Sequence, residues 1–129
     1  MLNLANRLKK DRDFNLIIKH GAWQNGQFFS LKAVKLDKIQ DYYPKKEDVD
    51  KFKKQLKIAF SVGLKVSKSA VKRNRVKRQA REIVRLIMKE TGIKEGYYLM
   101  IAAKPTAVDK TSTELSQDIR LLFQKSRLI

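Results

Sequence analysis

The 129-residue chain contains no cysteine and a single histidine. Without thiols there is no disulfide framework and no thiolate metal site, and one imidazole leaves little for histidine-based chemistry. Acidic residues are scarce, at 13 against 30 Lys and Arg, and no two of them form a recognisable metal motif. With only five glycines, no Gly-rich phosphate loop precedes a helix, so a protein-borne nuclease or nucleotide-hydrolase site has little support. No stretch approaches the roughly 20 apolar residues needed to cross a bilayer, and the basic residues are not confined to one amphipathic helix, so a membrane partner is not expected. The first residues, Met1 to Arg7, lack an apolar core followed by a small-residue cleavage site, so the expected location is the cytoplasm.

What is present is charge on a foldable chain. The formal net charge is +17, yet 43% of residues are hydrophobic. Disorder needs high charge together with low hydrophobicity, so one globular unit over residues 1–129 is expected. Such self-repulsion is rationalised by a polyanionic partner, with nucleic acid first.

Periodicity gives the elements. Phe14, Ile17 and Ile18 recur at helical spacing before Gly21, which predicts a short helix over 13–20 with Asp11 or Asp13 as N-cap. Residues 27–36 and 56–62 read as two strands and antiparallel neighbours, the first open to division into two. Residues 37–55 form a long surface insert in which a helical turn with Val49 and Phe52 is possible and Tyr42 and Tyr43 are anchors. Ser67 or Ser69 can cap a long helix reaching about Glu90, stopped by Gly92. The apolar run 97–103 is a buried strand, and Ser112 or Thr113 opens a last helix with Leu115, Ile119, Leu122 and Phe123 on one face. The order α-β-β(-β)-α-β-α predicts an α+β protein with helices packed on a mixed sheet of about four strands.

The long helix carries the most information. Residues 65–85 hold nine Lys and Arg and one acid, Glu82, a local charge of +8. At about 100° per residue, Val76, Ala80, Ile83, Val84 and Ile87 make one stripe. Asn74, Arg75, Lys77, Arg78, Arg81 and Arg85 spread over the opposite arc, with Lys72 and Arg73 near the stripe's edges. Like charges at i,i+4 destabilise such a helix by roughly 0.2–0.5 kcal/mol per pair. Ordinary solvated faces alternate signs and this one does not. The planar Arg fork suits phosphate and Lys acts as a point charge, so the mixture fits a phosphate backbone more than one base sequence.

The string from Ala70 to Glu82, with Arg73-Asn74-Arg75, then Lys77-Arg78, then Arg81, resembles the signature of the ribonuclease P protein family. Arg7-Leu8-Lys9-Lys10, Asp13-Phe14, Lys19-His20-Gly21, Phe60-Ser61-Val62 and residues 97–105 resemble other family segments, in the same order over most of the chain. The resemblance implies a two-layer α/β sandwich with a left-handed β-α-β crossover. It also implies a protein that joins a catalytic RNA, which uses magnesium ions, bound mainly by that RNA, to release the 5′ leader of precursor tRNA. Carried onto this chain, Lys72, Arg73, Asn74, Arg75, Lys77, Arg78, Arg81 and Arg85 would face ribonuclease P RNA. Phe14 would line the cleft for the single-stranded leader, with Ile18 where the family often has a second Phe. Ser67-Lys68-Ser69 replaces the family's usual Gly-Asn before Ala-Val. No residue is expected to be catalytic or to bind metal, and no obligate protein partner is implied.

Without the resemblance, Phe14 reads as a core aromatic and His20 as a cation at a helix end. Trp23 and Phe29 are each open to base stacking or to packing. The charge alone is also compatible with a structural RNA-binding protein of the ribosome, and, with an unusual site, with a protein nuclease.

Overall fold

The computed structural model describes residues 6–38 and 54–129. Among these residues, three α-helices and four strands follow in the order α1 (Asp11–His20), β1 (Ala22–Asn25), β2 (Phe29–Lys35), β3 (Leu56–Ser61), α2 (Ala70–Glu90), β4 (Tyr97–Ala103) and α3 (Ser112–Lys125), with a 3-10 turn, Pro105–Ala107, before the last. The helical turn expected around Val49 and Phe52 lies outside the described residues, as do Tyr42 and Tyr43.

Helix α1 begins two residues earlier than its periodicity indicates. Lys10 occupies the N-cap without a side-chain cap bond, so Asp11 and Asp13 do not cap but sit in the first turn, where a negative charge is favourable. Gly21 stops the helix, its N–H donating to the Ile17 carbonyl at 2.8 Å. Helix α2 is capped by Ser69, whose Oγ accepts from the Lys72 N–H at 3.4 Å. Ser67 Oγ in turn accepts from the Ser69 N–H. At the other end Gly92 adopts φ +74°, where a side chain would strain the backbone. Helix α3 starts at Ser112 under a reciprocal capping box: Glu114 N–H donates to Thr111 Oγ1 and Thr111 N–H to the Glu114 carboxylate.

The sheet order is β1-β2-β4-β3. The expected strand over 27–36 is shorter, and a separate strand β1 pairs antiparallel with it, Ala22 opposite Ala33. All four β1 residues are exposed, which is why no apolar alternation marked it. Strands β2 and β3, expected to be antiparallel neighbours, do not pair. Strand β4 lies between them, antiparallel to β2 and parallel to β3. Tyr98, Leu99 and Ile101 are buried, spanning both faces of β4, and a strand so enclosed belongs in the middle of a sheet.

Alternation along the strands makes two cores. Leu31, Ile58, Leu99 and Ile101 face α2 and α3, meeting the expected stripe of Val76, Ala80, Ile83, Val84 and Ile87 and the Leu115, Ile119, Leu122 and Phe123 face. On the opposite face α1 sets Leu16 and Ile17 against Val34, Leu36, Ala59 and Tyr98. The outer edge of β3 is covered by the N-terminal segment: Arg7 bridges Ile58, and Leu8 N–H donates to the Ile58 carbonyl at 3.2 Å.

Two buried carboxylates fix the layers. Asp118 on α3 accepts from three successive backbone N–H groups, Gln27 at 2.8 Å and Phe28 and Phe29 at 2.9 Å, tying α3 to the β1–β2 turn. A Cβ on Gly26 would stand 2.7 Å from both Asp118 oxygens, so the turn needs glycine there. Asp13 lies under α1 with Lys57 Nζ at 3.7 Å and Arg12 Nε at 3.5 Å.

Candidate nucleic-acid interface

Helix α2 turns its buried stripe to the sheet, so its charges are turned outward by packing. Asn74, Arg75, Arg78 and Arg81 are exposed and Lys77 is half-buried. Among the described residues, none of these five has a side-chain hydrogen-bond or ion-pair partner. The other three basic residues of the signature region have partners. Lys72 Nζ stands 3.4 Å from an Asp109 carboxylate oxygen. Arg73 Nη1 donates to the Ser67 and Lys68 carbonyls at 2.9 and 3.1 Å, bracing the turn before the helix. Arg85 is bidentate to Glu82, at 3.0 and 2.6 Å. That side-chain hydrogen bond is the main reason the Glu82 carboxyl is held below its ordinary value, and the same bond raises Arg85 above its own. Both groups therefore remain charged near neutral pH.

Glu82 thus diverts Arg85 from an external anion. Glu82→Gln is expected to raise affinity for RNA two- to fivefold. It should also steepen the dependence of log K on log salt by about 0.7–0.9 if the released Arg85 takes up a phosphate. Filter binding across a salt series checks this; an unchanged slope would show that Arg85 stays off phosphate.

Phe14 and the basic helix share one groove. A cavity of about 320 Å³ is lined by Arg7, Leu8 and Lys9, by Phe14, by Ile58, Ala59 and Phe60 of β3, and by Lys77 and Arg81 of α2. It runs along the β3 edge, with an apolar floor and cations from two separate segments. Ile18, one turn after Phe14, is 60% exposed and does not line this cavity. Its carbonyl accepts from Lys32 Nζ at 3.1 Å. Arg7, Leu8 and Lys9 join the site only through the fold; in the sequence their one signal is the basic pair Lys9-Lys10. Of the two aromatics left open, Phe29 is buried in the core, while Trp23 is 48% exposed on β1 with Lys32 Nζ 5.3 Å from its ring centre.

Comparison with known proteins agrees over nearly the whole chain. The sequence model of the family described as Ribonuclease P matches residues 2–127. The ribonuclease P protein component of Trichormus variabilis is 31% identical, over 97% of this chain and 94% of that protein. That of a Synechococcus strain is also 31% identical, over 100% and 87%. Among solved structures, the RNase P protein of Staphylococcus aureus superposes with a TM-score of 0.73 at 22% identity, covering 96% of this chain and 97% of that one. The RNase P protein of Thermotoga maritima gives 0.66 at 20% identity, covering 92% and 96%. These two show a common fold. With a basic helix whose charges are aimed outward, a groove joining it to α1, and a family match from residue 2 to 127, the chain belongs to the ribonuclease P protein family.

Proposed function

We propose that this chain is the protein subunit of ribonuclease P, an endoribonuclease, binding the catalytic RNA through α2 and the 5′ leader of precursor tRNA along α1. The observation that carries the reading is the shared groove, in which Lys77 and Arg81 of the signature helix meet Phe14. A strand lying there can place phosphates on the cations and a base on the ring, and such stacking contributes roughly 1–3 kcal/mol per base without demanding a sequence. That suits a protein accepting many leaders. Ile18 extends the same side of α1 beyond the groove.

Asn74, Arg75, Lys77, Arg78 and Arg81 are the contacts ready for RNA. Lys72 joins them by exchanging an exposed ion pair, worth about 0–1 kcal/mol, and Arg85 is a contact held in reserve by Glu82. Arg73 keeps donors beyond Nη1 for a phosphate. Among the described residues, no three His, Asp or Glu side chains stand together to hold a metal. The proposal gives magnesium and the hydrolysis of the phosphodiester to the RNA. Among the described residues, no helix is long and apolar enough to cross a membrane. The proposal places the complex in the cytoplasm as one RNA-binding domain with no obligatory protein partner.

The test is 5′ processing of a precursor tRNA at low magnesium, comparing this protein, a bacterial ribonuclease P RNA, and both together. Efficient cleavage only by the mixture is expected. Cleavage by the protein alone, or no gain on mixing, would overturn the reading.

A further inference from the structure

A second groove, about 530 Å³, lies between α2 and α3 and shares Arg78 with the RNA-facing residues of α2. Its apolar part comes from buried Ile83 and half-buried Leu86. Arg78, Gln79 and Glu82 line it from α2, and Ser116, Gln117 and Arg120 line it from α3, so one carboxylate accompanies the two guanidiniums. Arg120 is fixed in place, Nε donating to Ser116 Oγ at 3.1 Å and Nη2 to Glu90 at 2.9 Å. Arg78 has no side-chain partner among the described residues.

A phosphate needs cations but no apolar floor. A peptide helix needs the floor but gains little from two arginines beside a chain of charge +17. A nucleobase needs both an apolar face to lie on and donors and acceptors at its edge, and guanidinium planes stack on bases. Arg78 belongs to the same outward arc as Arg75 and Arg81, so RNA following that arc arrives at this groove. We propose that the α2–α3 groove is a nucleobase site, receiving an unpaired base of the RNA bound on α2, stacked on a guanidinium and met at its edge by Gln117. The inference rests on the reading of α2 as the RNA-binding helix.

The absence of cysteine makes Ser116→Cys the sole thiol. Coupled to an azidophenacyl group and irradiated with bacterial ribonuclease P RNA, it should cross-link to one or a few unpaired nucleotides. Ser116→Trp, which fills the groove, should weaken RNA binding roughly tenfold, within the range of a lost base stack, with an unchanged salt slope. Gln117→Ala, exposed and safe for folding, should weaken it a few-fold in the same manner. Arg75→Ala is the contrast, lowering the slope as well. Wild-type affinity in both folded groove variants, cross-links scattered over paired RNA, or adducts between protein copies would each overturn the nucleobase site while leaving the α2 reading intact. Failure of the wild-type protein to bind the RNA at all would overturn both.

Discussion

Replacing Arg75, Lys77, Arg78 and Arg81 together by alanine is expected to lower affinity for ribonuclease P RNA by on the order of 10²–10³-fold at about 0.15 M salt, with the protein still folded. Each phosphate contact releases counterions and adds about 0.7–0.9 to the slope of log K against log salt. Four lost contacts therefore remove roughly three units of slope, and at physiological salt that corresponds to the stated loss. The fold should survive because none of the four is among the buried residues of α2, and none has a side-chain partner among the described residues. Alanine also has the highest helix propensity, and removing Lys77 and Arg81 relieves a like-charge i,i+4 pair. Binding isotherms at several salt concentrations, with thermal melts on the same samples, check both halves. An unchanged slope in the folded variant would show that this face does not meet phosphate.

Asp118→Ala should be strongly destabilising for a single polar substitution away from the RNA surface, at about 3–5 kcal/mol. The carboxylate accepts three backbone N–H groups, and it is buried. Truncation leaves the buried donors without an acceptor, each costing about 1–3 kcal/mol before water or local rearrangement recovers part of it. Against a usual total of about 5–15 kcal/mol this is a large fraction. For a chain of this size it corresponds to a fall in Tm of roughly 10–20 °C. Thermal or urea denaturation followed by circular dichroism measures it. A loss below about 1 kcal/mol would mean that the turn finds other acceptors. RNA affinity below the new melting transition should stay near the parental value, since Asp118 is remote in role from the outward face of α2.

Much of the architecture was legible because it is written at short range. The α2 stripe from Val76 to Ile87 and the outward arc from Asn74 to Arg81 follow from a single angular period, and packing confirms the stripe residue by residue. The Ser69 cap and the left-handed Gly92 are likewise local chemistry. Strand β1 was missed as a separate element because Ala22, Trp23, Gln24 and Asn25 bury nothing and so leave no pattern. The pairing expected between β2 and β3 followed the tendency of consecutive strands to be neighbours. That tendency is overridden where a more apolar strand competes for the centre, as β4 does with Tyr98, Leu99 and Ile101.

The candidate site divides in the same way. Which residues bear charge, and on which side of α2, depends on spacing alone. That Lys72, Arg73 and Arg85 are engaged by Asp109, by the Ser67 and Lys68 carbonyls and by Glu82 depends on rotamers and on a loop 37 residues away.

The sequence by itself determined a basic α+β protein with an outward cationic helix, because charge, period and capping act between residues a few positions apart. Only the tertiary structure decided that β4 is central, that Phe14 shares a groove with Lys77 and Arg81, and that Asp118 closes on a turn 89 to 91 residues away. Those relations are set by which apolar surfaces bury one another across the whole chain, and no local pattern encodes the outcome of that competition.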